Sequence, residues 1–148
     1  MASLLLVAHA PLATSLQAVA RHAFAECSAE VAAVDVHPGA SLEQIESDIA
    51  AALAHMPGSE VLILVDVFGA SPCNAALTVS DGVRSRVVAG VNVAMLWRSL
   101  CYSQLPLLDL VARAVDGGRQ GIMQVASPRR QNQTNRPPSH DSDANSDQ

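Results

Sequence analysis

Short apolar runs alternate with longer segments of helical spacing along most of the chain. The runs lie at residues 4–8, 31–36, 61–66 and 86–89, and each precedes a stretch rich in Ala and Leu. Such runs predict β-strands, and the apolar spacing of 3 to 4 residues between them predicts helices. The predicted order is therefore β-α-β-α.

The first and third runs are apolar at nearly every position instead of alternating with polar residues. A strand that is apolar on both sides needs helices on both faces of its sheet, as in parallel sheets. The sequence thus predicts an α/β fold with an open, doubly wound, mostly parallel sheet.

Turn and capping residues give the predicted bounds of three helices. Ser41 begins one helix, and Pro57-Gly58 ends it. Ser71 is expected to cap another, with Pro72 in its first turn. A last helix is predicted over residues 106–115.

Glycines and a change of composition mark the end of the predicted domain. Gly117-Gly118 is expected to close the last helix, and residues 121–125 to form a short final strand. From residue 127 the chain is rich in Pro, Asn, Gln, Ser and Asp, which cannot form a core. We expect one domain over residues 1–126 and a disordered polar tail over residues 127–148.

Charge and apolar length argue against two kinds of partner. The net charge is −5, and the scattered Arg residues form no basic stripe, so we expect no nucleic acid partner. The apolar run at the N-terminus is too short for a signal segment or a membrane span. We therefore expect a cytoplasmic protein without membrane insertion.

The three cysteines, Cys27, Cys73 and Cys101, have no C-x-x-C spacing. Their odd number and spacing argue against both a disulfide framework and a zinc site. We expect reduced thiols.

Candidate chemistry lies just after the predicted strands. Ligands of an open parallel sheet bind beyond the carboxyl ends of its strands. His9 follows the first run, residues 66–74 follow the third, and residues 90–92 follow the fourth. If the first and third strands are neighbours, His9 and Asp66 meet in this crevice.

A histidine beside a carboxylate is suited to phosphoryl transfer. The carboxylate holds one ring nitrogen as N–H, which leaves the other as a nucleophile. Backbone N–H groups at the helix start near Ser71 can hold phosphoryl oxygens, and Gly69 allows a close approach. This chemistry requires no metal and no cofactor.

These segments resemble the mannose-type IIA domain of the bacterial sugar phosphotransferase system. The resemblance covers residues 1 to about 126 and is carried by residues 7–9, 66–76 and 89–96. It implies a flavodoxin-like strand order and a homodimer that can exchange an antiparallel C-terminal edge strand. It also implies that His9 accepts phosphate from the carrier HPr and passes it to a IIB partner.

The resemblance also assigns site residues. It implies that Asp66 orients His9 and that phosphate-facing groups lie at Gly69, Ala70 and Ser71. The residues that line the same crevice are then Phe68, Asn74 and Asn92.

Departures from the family pattern leave a second function open. Transport members usually have Gly-Thr before the histidine and Gly after it, whereas here His9 stands between Val7-Ala8 and Ala10-Pro11. Ala94 also replaces a common Pro. We expect a separate IIB acceptor, or else a catalytically silent or regulatory module of the same fold.

A nucleotide- or flavin-binding module is a third alternative. The chain has no G-x-G-x-x-G or Walker motif, and only 3% of its residues are aromatic. Both observations disfavour this class. The sequence does not identify a sugar.

Overall fold

The computed structural model describes residues 1–27 and 29–128, which form four strands and five helices. The strands are β1 (Ser3–His9), β2 (Val31–Val36), β3 (Val61–Val65) and β4 (Ser85–Ala89). The helices are α1 (Leu12–Ala23), α2 (Leu42–His55), α3 (Ser71–Val79), α4 (Val93–Cys101) and α5 (Leu107–Gln120). The predicted alternation is confirmed. Most of the predicted tail, from residue 129 onward, lies outside the described residues.

The four strands form one parallel sheet in the order β2-β1-β3-β4. This confirms the predicted open, doubly wound α/β fold. The two central strands, β1 and β3, are those predicted to be covered on both faces, and each of the five residues of β3 is buried. Within the described chain, none of the helices has the length and apolarity needed to cross a bilayer.

Alternate residues of β1 enter two separate cores. Leu4 and Leu6 pack in a cluster with residues of α1, α4 and α5, whereas Leu5 and Val7 pack with residues of α2 and α3. Successive side chains of a strand point to opposite faces, so a continuous apolar run supplies both cores. Helices thus pack on both faces of β1 and β3, and these strands support the residues at their carboxyl ends.

The last helix is longer than predicted. α5 continues through Gly117 and Gly118 to Gln120, so the predicted stop is wrong. A Cβ atom at Gly117 would lie 2.5 Å from Arg98 Cβ, and one at Gly118 would lie 2.7 Å from Met95 Cε. The glycines therefore allow α4 and α5 to approach closely instead of ending the helix.

Residues 121–125 do not form the predicted strand. Among the described residues, β4 pairs with β3 alone, so no antiparallel edge strand is present there. Ile122 is 76% exposed and Val125 is 81% exposed. A strand needs a neighbour for its backbone N–H and C=O groups, and this segment finds none in the described chain.

Candidate functional site

The structure brings His9 and Asp66 together at the carboxyl edge of the sheet. Val7 pairs with Val65, so the last residue of β1 and the first residue after β3 lie side by side. His9 Nδ1 lies 2.6 Å from Asp66 Oδ2, and the His9 backbone N–H donates to the same oxygen at 2.9 Å. The contact between His9 and Asp66 therefore results from the parallel arrangement of β1 and β3.

The side chains of His9 and Asp66 differ in exposure, and hydrogen bonds lower the pKa of Asp66. The side chain of His9 is 55% exposed, whereas that of Asp66 is 12% exposed. Partial burial raises the pKa of Asp66, but hydrogen bonds from His9 and from the Val67 N–H outweigh it, and the net pKa is lowered. An ionised carboxylate only accepts, so Nδ1 carries the proton, and Nε2 presents its lone pair when the ring is neutral.

A tight turn leads from Asp66 into α3. Gly69 has φ +87°, a conformation that favours glycine, and Ala70 is the N-cap. The helix begins at Ser71, where the sequence predicted it. The prediction that Ser71 caps the helix is wrong, because Ser71 is already helical and its side chain makes no capping bond.

The first turn of α3 supplies N–H groups for an anion. The first N–H groups of a helix have no partner within it, and the helix dipole favours negative charge there. The N-cap residue is an alanine, so no side-chain oxygen occupies these donors. α3 starts at the same edge of the sheet as His9. In the described part of the chain, no group of three His, Cys, Asp or Glu side chains could hold a metal ion.

The three predicted crevice residues have different surroundings. Phe68 is 79% exposed in the turn after Asp66, and Asn74 is exposed on α3. Asn92 caps α4 instead: its Oδ1 accepts from the Met95 N–H at 2.8 Å, and its Nδ2 donates to the Gly118 carbonyl at 3.1 Å. The polar atoms of Asn92 are thus engaged in holding α4 and α5.

Sequence reasoning missed a second pair, Thr14 and Asp35. Thr14 Oγ1 donates to Asp35 Oδ2 at 2.6 Å, and the Thr14 N–H donates to Oδ1 at 3.1 Å. Pro11, the N-cap of α1, makes no side-chain cap, so the β2 carboxylate serves the first turn of the helix. The sequence signal for this pair was Asp35, a charged residue inside the apolar run at residues 31–36. Its partner could not be read from the sequence.

Asp35 lies beside the strand that ends in His9. Its register partner on β1 is Ala8, and the Ala10 N–H donates to the Val36 carbonyl at 2.9 Å. The start of α1 and the turn that contains Ala10 are therefore both fixed to β2. These bonds restrict the backbone on either side of the His9 turn.

Residues 3–115 match the family model described as "EIIA-man: PTS system fructose IIA component". The chain is 41% identical over 93 residues to the "PTS system mannose-specific EIIAB component" of Escherichia coli K12. That match covers 60% of this chain but only 29% of the relative.

Two solved structures have the same fold. The mannose/sorbose specific IIA subunit from Enterococcus faecalis is 25% identical, with a TM-score of 0.76 over 86% of this chain and 96% of that one. The phosphotransferase component EIIA from Streptococcus agalactiae is 19% identical, with a TM-score of 0.74 over 84% of this chain and 97% of that one. The chain therefore belongs to the mannose-family IIA components of the bacterial sugar phosphotransferase system.

Proposed function

We propose that this protein is a phosphoryl carrier that accepts phosphate from phospho-HPr on His9 and passes it to a IIB-type protein. The observation that carries the proposal is the 2.6 Å contact between His9 Nδ1 and Asp66 Oδ2. It directs the Nε2 lone pair away from Asp66, on a ring that is 55% exposed. An incoming phosphoryl group would be attacked from this side of the ring.

Acceptance of phosphate from phospho-HPr replaces one P–N bond by another. Nε2 of His9 attacks phosphorus, a P–N bond forms, and the electron pair of the broken bond stays on the donor histidine of HPr. Positive charge develops on the His9 ring as its lone pair enters the new bond. The lowered pKa of Asp66 keeps its carboxylate ionised, so it opposes this charge through Nδ1–H. In the transfer to IIB, His9 is the donor: its P–N bond breaks, and the electron pair of that bond returns to Nε2.

The turn after Asp66 is our candidate for holding the phosphoryl oxygens. The N–H groups near Gly69, Ala70 and Ser71 lie at the start of α3, where the helix dipole favours an anion. The exposed Ser71 hydroxyl is a further donor, since it caps no helix. Phosphate would thus be bound without a metal or a cofactor.

Exposed apolar side chains near His9 are candidates for contact with both protein partners. Leu12 is 39% exposed, Val67 is 49% exposed, and Phe68 is 79% exposed. They flank the two turns that carry His9 and Asp66. Apolar groups around an exposed reactive residue are typical of a transient protein interface.

The first experiment measures phosphate on His9. The protein is incubated with phosphoenolpyruvate, enzyme I and HPr, and we expect one acid-labile phosphate by intact mass. His9→Ala should abolish this label without unfolding the domain, because the side chain is exposed. His22→Ala is the matched control, since His22 is also exposed and lies on α1. An equally labelled His9→Ala protein would contradict the site.

A regulatory module is the second candidate function. It is favoured by the Val7-Ala8-His9-Ala10-Pro11 segment, which departs from the pattern of transport members. In that case the phosphorylation state of His9 would select a binding partner. Transfer of labelled phosphate to a IIB protein separates the two: a carrier loses its label, whereas a regulator keeps it.

We also propose that the protein is cytoplasmic and homodimeric. The apolar side chains of residues 122–125 are exposed, and β4 leaves one edge of the sheet free in the described chain. A groove beside this edge is lined by Val87, Ala89 and Ile122, among others. The same segment of a second copy would supply the missing strand partner and cover this apolar surface.

A further inference from the structure

Two cysteines, Cys27 and Cys101, lie near the end of α1 that is distant from His9. Cys27 follows the end of α1, and its N–H donates to the Phe24 carbonyl at 3.0 Å. Cys101 is the last residue of α4. Cys27 and Leu100, the residue before Cys101, line the same cleft, although 74 positions separate the two cysteines in the sequence. Cys101 is near enough to raise the pKa of the Cys27 thiol.

A stacked aromatic pair joins the C-terminal end of α1 to α4. The rings of Phe24 and Trp97 stack with their centroids 5.4 Å apart and their planes 9° apart. Cys101 lies four residues after Trp97 on α4, so both side chains are on the same face of the helix. Cys27 lies three residues after Phe24, and both residues pack against the same core cluster. The packing of Phe24 against Trp97 therefore brings the segments that carry the two cysteines together.

The two thiols differ in exposure. Cys101 is exposed and Cys27 is half-buried, whereas Cys73 is 1% exposed in the core on the opposite face of the sheet. Burial raises the pKa of the Cys27 thiol, and the nearby Cys101 and Glu26 raise it further. Cys101 is thus the thiol that an oxidant in solution reaches first, with Cys27 beside it.

We propose that Cys27 and Cys101 form a redox modification site, which closes to a reversible intramolecular disulfide in the presence of a peroxide. The Cys101 thiolate attacks one peroxide oxygen, the O–O bond breaks, and Cys101 becomes a sulfenic acid. The hydroxide that leaves takes up the proton that the Cys101 thiol released, and so becomes water. The Cys27 sulfur then attacks Cys101 Sγ, the S–O bond breaks, and the hydroxide takes the Cys27 proton as water. Both sulfurs are oxidised, the peroxide is reduced, and a dithiol restores the pair.

The disulfide would close without displacing the phosphoryl site. α1 has 12 residues and separates Cys27 from the His9 turn by about 18 Å. We therefore expect the oxidised protein to accept phosphate at the rate of the reduced protein, within about 2-fold. The proposal does not depend on the function of His9, and a protein without phosphoryl transfer would leave it intact.

Digestion with trypsin and an endoproteinase specific for Glu separates all three cysteines. Cuts after Arg and Glu place Cys27 in residues 27–30, Cys73 in residues 61–84 and Cys101 in residues 99–113. After treatment with hydrogen peroxide, we expect 27–30 to be joined to 99–113, with the loss of two hydrogen atoms. Dithiothreitol should restore the two separate peptides.

The unfolded chain provides a control for proximity. In urea, loop closure favours the shorter loop from Cys73 to Cys101 over that from Cys27 to Cys101. The folded chain should give the opposite preference. The Cys73→Ala variant should keep the folded-state crosslink, whereas Cys27→Ala and Cys101→Ala should each abolish it.

Three results would overturn the proposal. One is oxidation of Cys101 that stops at a sulfenic or sulfinic acid. Another is a dimer linked through Cys101, and the third is a folded chain that pairs Cys73 as often as Cys27. The wild-type protein alone decides among these results, so a variant that fails to fold does not affect the test.

Discussion

Asp66 acts on His9 through a single oxygen atom. Oδ2 accepts from both the backbone N–H and the ring Nδ1 of His9, while Oδ1 accepts from the Val67 N–H at 2.8 Å. The orientation of the ring is therefore fixed by the same carboxylate that sets its tautomer. These three bonds explain why the net pKa of Asp66 is lowered although partial burial raises it.

Asp66→Asn should slow phosphoryl acceptance by roughly 100-fold or more, because an amide can donate to Nδ1 and so favour the tautomer with hydrogen on Nε2. The rate is measured by single-turnover transfer from phospho-HPr. Asp48→Asn, on α2, is the control and should change the rate by less than about 2-fold. Equal rates for wild type and Asp66→Asn would reduce Asp66 to a strand-end residue.

At the scale of single elements, two helices depend on residues from outside themselves. α1 takes its N-terminal acceptor from Asp35 on β2. α5 packs closely against α4, because Gly117 and Gly118 have no side chains at the contact between the two helices. Local helix signals cannot reveal either dependence, since both involve residues distant in the sequence.

Thr14→Val should loosen the start of α1, because it removes the hydroxyl that donates to Asp35. We expect the free energy of unfolding to fall by about 1 kcal/mol and phosphoryl acceptance to slow by about 3- to 10-fold. Urea unfolding and single-turnover transfer measure the two effects.

Thr78→Val is the matched control, because its hydroxyl donates only to the Asn74 carbonyl within α3. It should leave the rate of acceptance unchanged. If Thr14→Val lowers stability but transfers phosphate at the wild-type rate, Asp35 supports the helix without positioning His9.

Gly117→Ala should destabilise the domain by about 1–3 kcal/mol, although alanine is the better helix former. The added methyl group would meet Arg98 Cβ at 2.5 Å, so α4 and α5 would have to separate. Urea denaturation measures the change. Asp116→Ala, at an exposed position of the same helix, should stay within about 0.5 kcal/mol of wild type. A stabilised Gly117→Ala protein would show that the two helices move apart freely.

At the scale of the whole molecule, the C-terminal region divides into two parts. Residues 122–125 expose apolar side chains beside the free edge of β4. The residues after Ala126 are polar, and the segment from residue 129 lies outside the described structure. In the proposed dimer, the first part would form the contact between the two copies, and we predict that the second part is not needed for folding.

Truncation after Ala126 should leave the melting temperature, phosphorylation and the dimer unchanged, because the removed residues are too polar to form a core. Truncation after Gln120 should instead give a monomer, since it also removes Ile122, Met123 and Val125. Sedimentation velocity and thermal melting compare the two proteins. A monomeric full-length chain would contradict the proposed dimer, and a large loss of melting temperature after the first truncation would show that the tail packs.

The sequence by itself determined the alternation of strands and helices, the sheet covered on both faces and the edge where His9 lies. These features are local: apolar runs form buried strands, and parallel strands end at one edge of the sheet. The start of α3 near Ser71 was predicted from another local signal, Pro72 in the first turn of the helix.

Only the tertiary structure decided which distant residues meet. The strand order brings Asp66 to His9 and Asp35 to Thr14, close packing extends α5 through its glycines, and the Phe24 and Trp97 rings bring Cys27 to Cys101. Each of these contacts joins two elements, and its energy depends on how those elements pack. No pattern within a single element specifies that packing.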